Sequence, residues 1–180
     1  KIIFNKTNSA LQIDNGLKVS VNLFSKKNAV AYSAKVNTPI VDFNKINFHK
    51  ISDYWDAIIT NDRSIIIEKN KFYILRSKEK VRIPSNLAGE MIPYDTGIGD
   101  FRAHYAGFFD PGFGNINGSF AVLEIRTNEV PFNLMDGQIV AKIIYERLNK
   151  STNIIYGKKI KSNYQNQGLA LSKHFNIMSK

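Results

Sequence analysis

Glu124 is the carboxylate whose sequence setting best suits proton transfer. It lies in the run Phe-Ala-Val-Leu-Glu-Ile, and strand alternation places its side chain on the face shared by Phe120 and Val122. Partial desolvation among apolar neighbours raises the pKa of a carboxyl group, which suits it to accept and donate protons near neutral pH. A structural ion pair with Arg126 or Arg147 at a sheet edge is the alternative role.

The stretch Phe109–Gly114 has the residues of a tight turn. Pro111 presets φ at the second position of a turn, and Gly112 supplies the positive φ that a type II turn requires next. The two glycines also remove side-chain bulk where a ligand or a neighbouring backbone approaches. A β-turn without a ligand is the simpler interpretation of these residues taken alone.

Cysteine and histidine usage limits the chemistry that is open to this chain. There are no cysteines, which excludes a disulfide framework and any thiolate zinc site and is ordinary for a cytoplasmic protein. His49, His104 and His174 are far apart and lack ligand spacing, so we expect each to be structural or solvated. No apolar run approaches the length of a membrane-spanning helix.

Short apolar runs broken by Asn, Asp and Gly predict a mostly β domain that positions these residues. The predicted strands cover residues 19–23, 29–36, 64–67, 72–75, 81–88, 120–127, 130–134 and 138–145. Hairpins are predicted around residues 68–71 and at Asp136-Gly137. Short helices are predicted from Ser52 to Asp56 and over Leu169–Phe175.

The composition is that of one folded domain with a strong positive charge. With 180 residues, 43% of them hydrophobic, the chain can bury one core, so we predict a single domain over residues 1–180. It begins at Lys1 rather than at a methionine, which suggests a piece of a longer chain. The net charge of +10 favours an anionic partner such as a triphosphate. Because the lysines are scattered, a nucleic-acid groove is not supported.

The order of motifs from Ala106 to Arg147 resembles that of dCTP deaminases, in the dCTP deaminase/dUTPase superfamily. Ala-Gly-Phe-Phe-Asp-Pro-Gly-Phe-Gly is followed by Ala-Val-Leu-Glu and then by Ile-Ile-Tyr-Glu-Arg. The resemblance implies that Phe109 and Gly112 belong to a β-hairpin that binds the pyrimidine through backbone groups. It further implies that Asp110 contacts the deoxyribose and that Glu124 is the catalytic residue.

The tail Asn163–Gly168 is similar to the family's C-terminal Tyr-x-x-Gln element, which closes over the phosphates. By this resemblance Tyr164 donates a hydroxyl hydrogen bond and Gln167 an amide hydrogen bond to the nucleotide. The lysines at positions 158, 159 and 161 would add positive charge nearby.

The segment Met91–Gly99 departs from the family pattern. Family members carry a Gly-Arg-Ser-Ser-type segment here, whose serine and arginine bind phosphate and polarise the active-site water. Thr96 and Arg102 are the closest chemical substitutes in this sequence. Active sites of the superfamily form between subunits of a trimer, so a neighbouring subunit would supply the missing loop. The chain also resembles the C-terminal half of a longer, duplicated bacterial form, whose other half would complete a pseudo-trimer.

The resemblance implies a dUTPase-like distorted β-barrel, β-clip or jelly-roll-like, with one or two short helices. The implied activity is hydrolytic deamination of dCTP to dUTP and ammonia without zinc, since the zinc deaminases need a Cys-containing signature. No cofactor is expected for the chemistry, although Mg²⁺ would accompany the triphosphate. The alternatives are a non-catalytic nucleotide-binding half, a dUTP pyrophosphatase and, on charge alone, a nucleic-acid-binding domain.

Overall fold

The computed structural model describes residues 3–4, 15–94, 101–104, 107–150, 152–157, 162 and 164–176, with the backbone alone at 3–4 and 101–104. The strands are β1 (Ile3–Phe4), β2 (Leu17–Ser20), β3 (Ala31–Ala34), β4 (His49–Lys50), β5 (Trp55–Ile58), β6 (Ser64–Ile67), β7 (Phe72–Val81), β8 (Leu87–Pro93), β9 (Phe101–His104), β10 (Phe108–Phe109), β11 (Ser119–Thr127), β12 (Phe132–Met135), β13 (Ile139–Arg147) and β14 (Phe175–Asn176). A short helix, α1 (Ile51–Tyr54), lies between β4 and β5.

Two larger sheets form the body of the domain. The first has six strands in the order β5-β3-β7-β11-β9, with β1 paired beside β7. The second has the order β10-β8-β13-β2. Two small sheets pair β12 with β6 and, in parallel, β14 with β4. Among the described residues the strand pairings form open sheets and no closed barrel.

The side chains of β11 alternate between the two faces of the first sheet, and each face is packed against other parts of the chain. Ala121, Leu123 and Ile125 are fully buried in the main core between the larger sheets. Val122 and Glu124 point to the opposite face and are only partly buried. Alternate residues of β11 therefore point either into the main core or to the opposite face, on which chemistry can occur.

A second apolar cluster covers that opposite face. Its buried members are Tyr54 from α1, Ile74 from β7, and Leu171 and Phe175 from the C-terminal segment. The ring centroids of Tyr54 and Phe175 are 5.3 Å apart in an edge-to-face arrangement. The cluster thereby holds the C-terminal segment against the sheet.

The predicted fold class, mostly β with one or two short helices, is confirmed. The strand predicted over residues 64–67 matches β6, and the one over 120–127 matches β11 to within one residue. The predicted strand over residues 81–88 is wrong, because β7 ends at Val81 and β8 begins at Leu87. A turn closed by a 3.1 Å hydrogen bond from the Leu87 N–H to the Pro84 carbonyl separates them.

Both predicted hairpins are wrong in their pairing. β6 pairs with β12, whereas β7 pairs with β3 and β11. The turn at Asp136-Gly137 is present, with a φ of +81° at Gly137, but it connects β12 to β13, whose partners are β2 and β8. Turn residues determine a local reversal, whereas strand pairing depends on which buried faces meet over long sequence distances.

The helix predictions are also corrected. The helix expected up to Asp56 ends at Tyr54, because Trp55 begins a strand that pairs with β3. The helix predicted over Leu169–Phe175 is absent, since this described segment runs through turns into β14. Its carbonyl groups at Lys173 and His174 accept hydrogen bonds from the loop before β4 instead of from a following helical turn.

Among the described residues, no helix is long and apolar enough to span a membrane.

Candidate functional site

A cavity of about 560 Å³ lies between the first sheet, the Asp110 turn and the C-terminal segment. Its floor is formed by Ile74 of β7 and by Val122 and Glu124 of β11. Glu124 is paired in register with Ile74, so the carboxylate is adjacent to an apolar side chain on the neighbouring strand. The volume is within the range of small-molecule sites, which are typically apolar with a few convergent polar groups.

The turn beside the cavity is a type II turn, as predicted from its residues. The Phe113 N–H donates a 3.0 Å hydrogen bond to the Asp110 carbonyl oxygen, and Gly112 has a φ of +96°. Phe109 and Phe113 are buried with their ring centroids 4.9 Å apart, whereas Asp110 is exposed and lines the cavity. The turn therefore presents a carboxylate next to a fixed aromatic pair.

The expected hairpin at Phe109–Gly114 has a different form. Phe109 ends β10, which pairs with β8 in the second sheet, whereas β11 pairs with β7 and β9 in the first. The turn thus bridges the two sheets. The Gly112 N–H donates to the Ile83 carbonyl at 3.0 Å, and the Ile83 N–H donates to the Phe113 carbonyl at 2.9 Å. These reciprocal bonds fix the turn against the main body of the domain.

Gln165 connects the C-terminal segment to this turn. Its Oε1 accepts a 2.9 Å hydrogen bond from the Gly114 N–H. Its Nε2 donates to the carbonyl oxygens of Gly112 and Tyr156, each at 3.1 Å. The whole amide is therefore committed to holding the backbone of the turn, and Tyr156 also lines the cavity.

Gln167 connects the same segment to β11. Its Nε2 donates to the Phe120 carbonyl at 3.1 Å, and its backbone N–H donates to the Ser119 hydroxyl at 3.1 Å. Its Oε1 is buried without a hydrogen-bond partner among the described residues. An unpaired buried acceptor is costly, so this oxygen is a candidate for a contact that a ligand or water completes.

The histidines with described side chains make structural contacts. His49 Nδ1 is 3.1 Å from the Tyr54 hydroxyl, and its Nε2 accepts a 3.0 Å hydrogen bond from the Asp42 N–H. His174 Nδ1 is 3.1 Å from the Ser172 hydroxyl. His104 occupies the position on β9 opposite Glu124, with only its backbone described. No group of three or more His, Cys, Asp or Glu residues suited to a metal ion occurs in the described part of the chain.

Comparison with known proteins identifies the family. The sequence model for the C-terminal domain of 2'-deoxycytidine 5'-triphosphate deaminase (DCD) matches residues 1–175. The chain belongs to the dCTP deaminase family. The resemblance that the motifs of residues 106–147 indicated is thereby confirmed and extends to the N-terminal part of the chain.

A solved dCTP deaminase gives the same result at the level of structure. The 2'-deoxycytidine 5'-triphosphate deaminase from Agrobacterium tumefaciens is 39% identical to this chain, with a TM-score of 0.75. The match covers 83% of this chain and 45% of that one, so this dCTP deaminase family member spans less than half of the relative's length. None of the curated proteins searched matches the chain.

Most of the site residues predicted from the sequence meet in the cavity of this dCTP deaminase domain. Those that line it are Phe109, Asp110, Glu124, Tyr164 and Gln167. Gly112 lies within the turn itself. Arg102 lies on β9, at the position opposite Arg126, with only its backbone described. Thr96 and the lysines at 158, 159 and 161 lie outside the described residues.

Sequence reasoning missed the apolar wall of the cavity. Trp55, Phe72 and Leu171 line it together with Tyr156. Trp55 Nε1 is buried without a hydrogen-bond partner among the described residues. Trp55 and Phe72 come from the part of the chain where the motif resemblance is weakest. For Phe72 the available signal was its spacing of two residues from Ile74, which places both on one face of a strand. No sequence signal pointed to Trp55, which reaches the cavity through the pairing of β5 with β3.

Proposed function

We propose that this domain deaminates dCTP to dUTP and ammonia, with Glu124 as general base and general acid. The observation that carries the proposal is that one cavity is lined by Asp110, Glu124, Tyr164 and Gln167. Sequence reasoning assigned these side chains separately to the sugar, the reacting atoms and the phosphates. The family membership of the chain supports the same substrate.

Glu124 would transfer the protons of the reaction. The carboxylate removes a proton from water as its oxygen forms a bond to C4 of cytosine, and this proton is delivered to N3 of the ring. The remaining water proton then passes to the amino group, the C4–N bond breaks, and ammonia leaves as the C4 carbonyl forms. Both protons of water thus end in the products, and one carboxylate suffices to transfer them.

The apolar wall supports this role for the carboxylate. Ile74 and Val122 flank Glu124 on the cavity floor, while Trp55 and Phe109 contribute aromatic surface. Apolar and aromatic surfaces favour a planar base over bulk water and strengthen electrostatic interactions within the site. We therefore assign this region to the pyrimidine.

The sugar and phosphates are assigned to the edge of the cavity. Asp110, exposed at the turn, would accept a hydrogen bond from the deoxyribose hydroxyl. Tyr164, with 38% of its surface exposed, would donate its hydroxyl to a phosphate oxygen. Gln167 Nε2 donates one N–H to Phe120, which leaves its second N–H for the nucleotide. Mg²⁺ would bind to the phosphates themselves.

We further propose that the reaction needs no metal at the reacting carbon. The sequence holds no cysteine for the zinc-deaminase signature. Chemistry at C4 would then depend on the carboxylate and on polarisation of the water, for which Arg102 and Thr96 are the candidates in this chain. We place the reaction in the cytoplasm, in keeping with the absence of cysteine.

A partner domain of the same family would complete the site, in a homotrimer or in a pseudo-trimer with a tandem half. The match to 45% of the relative's chain supports a partner half. The loop between β3 and β4 offers a surface for it. This loop exposes five large apolar side chains, with 81%, 93%, 75%, 62% and 59% exposure at Val36, Ile40, Phe43, Ile46 and Phe48. Several large apolar side chains exposed on one loop are typical of a protein interface.

Product analysis tests the proposed function. The protein is incubated separately with dCTP and dUTP, and ammonia and pyrophosphate are measured independently. Ammonia from dCTP supports the proposal. Pyrophosphate from dUTP without ammonia from dCTP would favour the pyrophosphatase, and binding without either product would favour a non-catalytic half. A parallel assay with a second domain of the same family added shows whether a partner half is required.

A further inference from the structure

Arg76 is a half-buried cation that no acidic side chain among the described residues balances. It lies on β7 with its guanidinium 4.6 Å from the ring centroid of Phe120, and no carboxylate pairs with it among the described residues. Partial burial lowers the pKa of the guanidinium. Removing a charge from water without a counter-charge is costly, so an anion at this position would relieve the cost.

A separate cavity of about 350 Å³ adjoins Arg76, and its polar side chains are hydrogen-bond donors. Asn22 Oδ1 accepts from the Phe24 N–H, which leaves the Nδ2 group of Asn22 to donate. Ser25 Oγ accepts from the Asn28 N–H, which leaves its hydroxyl proton to donate. Tyr32 adds a phenolic hydroxyl to the same lining.

Basic side chains lie at this cavity, and no Asp or Glu lines it among the residues that the structure describes. Lys26 and Lys27 directly follow Ser25 in the loop that forms its rim. Lys80 lies over the same Phe120 ring as Arg76, at 5.3 Å from the centroid. The combination of a planar guanidinium, neutral donors and neighbouring lysines is complementary to a multivalent oxyanion.

We propose that the Arg76 cavity is a binding site for a phosphate-type oxyanion, distinct from the cavity that contains Glu124. Neighbouring residues of the C-terminal segment line the two cavities. Leu169 lines the Arg76 cavity, while Gln167 and Ala170 line the Glu124 cavity. Phe120 connects them, because its ring stacks on Arg76 and its carbonyl accepts the Gln167 amide. The proposal does not depend on deaminase activity.

Titration of the intact protein with pyrophosphate, with the heat of binding measured by calorimetry, tests this site. Arg76→Gln removes the guanidinium, and Asn28→Asp places a negative charge in the lining at an exposed position. Each variant should weaken pyrophosphate binding roughly tenfold or more, as expected for loss of a charge-assisted contact. Arg147→Gln is the matched control, since it removes the same charge from an exposed position on β13 in the other sheet. Thermal melts confirm that each variant is folded.

A second titration distinguishes two sources of the phosphate. If pyrophosphate still binds in the presence of saturating dCTP, the ligand is a free anion. If dCTP displaces it, and Arg76→Gln weakens dCTP but not deoxycytidine, the ligand is the phosphate tail of a nucleotide. Either result supports the site. The proposal is overturned if pyrophosphate fails to bind, or if Arg76→Gln and Asn28→Asp bind it as tightly as Arg147→Gln.

Discussion

The side-chain amide of Gln165 donates a 3.1 Å hydrogen bond to the carbonyl oxygen of Gly112. This contact spans 53 residues of sequence and joins the C-terminal segment to the turn that carries Asp110. The same amide accepts from the Gly114 N–H and donates to the Tyr156 carbonyl. One side chain therefore positions the turn and the segment that together form two sides of the cavity.

Gln165→Ala should destabilise the domain by about 2 kcal/mol, because three backbone groups each lose a hydrogen bond in a partly buried place. The Gly112 carbonyl keeps its hydrogen bond from the Asn115 N–H, whereas the Gly114 N–H and the Tyr156 carbonyl lose the bond to Gln165. It should also raise the KM for dCTP more than it lowers kcat, since the turn loses its position while Glu124 is unchanged. Gln138→Ala is the matched control, since its Oε1 accepts an exposed hydrogen bond, from the Met135 N–H. Denaturant unfolding and steady-state kinetics measure both effects. Equal effects of the two substitutions would show that Gln165 has no special role.

Gly114→Ala should be among the most destabilising substitutions in the turn. Gly114 has a φ of +76°, and a Cβ there would collide with the Val81 carbonyl oxygen. Conformational strain and the collision together should cost at least about 3 kcal/mol. Gly107→Ala tests strain alone, because its φ is +70° but no atom of the described residues lies within 4 Å of the new Cβ. A destabilisation of about 1 kcal/mol is expected. Gly168→Ala should have almost no effect on stability, because Gly168 has no positive φ and no atom of the described residues lies near the new Cβ. A different order of the three unfolding midpoints would contradict the explanation by strain and collision.

Several features of the site follow from local sequence. The Asp110-Pro111-Gly112 order determines a type II turn, because proline restricts φ at the second position and glycine permits a positive φ at the third. The alternation of β11 places Glu124 opposite the main core, because its neighbours at odd positions are buried. Both conclusions depend on interactions between residues that are close in sequence, so a single sequence is enough to reach them.

Other features depend on contacts between distant segments. Trp55 and Phe72 reach the cavity only because β5, β3 and β7 lie side by side in the sheet. Nothing in the sequence distinguishes Gln165 from its polar neighbours, because its role depends on contacts with a turn that is distant along the chain. The C-terminal segment was expected to be helical, but its backbone instead bonds to the loop before β4. Neither propensity nor turn residues predict such pairings.

Asp136→Ala should affect stability rather than turnover, in contrast to changes at Glu124. The Asp136 side chain is 8% exposed, accepts a 3.0 Å hydrogen bond from the Leu23 N–H, and forms a 3.0 Å salt bridge with Lys78. Its removal leaves the buried Leu23 N–H unpaired, at a cost of about 2 kcal/mol. Asp62→Ala, at an exposed position, should stay within about 0.5 kcal/mol. A large drop in kcat for folded Asp136→Ala would contradict this structural role.

The most direct test compares ammonia release from dCTP by the wild-type protein, Glu124→Gln and Glu146→Gln, in the assembly that the wild type needs for activity. Glu124→Gln keeps the shape of the side chain but cannot accept the water proton, so its kcat should fall by about 10² to 10⁴ while dCTP binding persists. Glu146→Gln removes an exposed carboxylate from β13 in the other sheet and should leave the rate unchanged. Undiminished ammonia release by Glu124→Gln would contradict the central claim that this carboxylate transfers the protons.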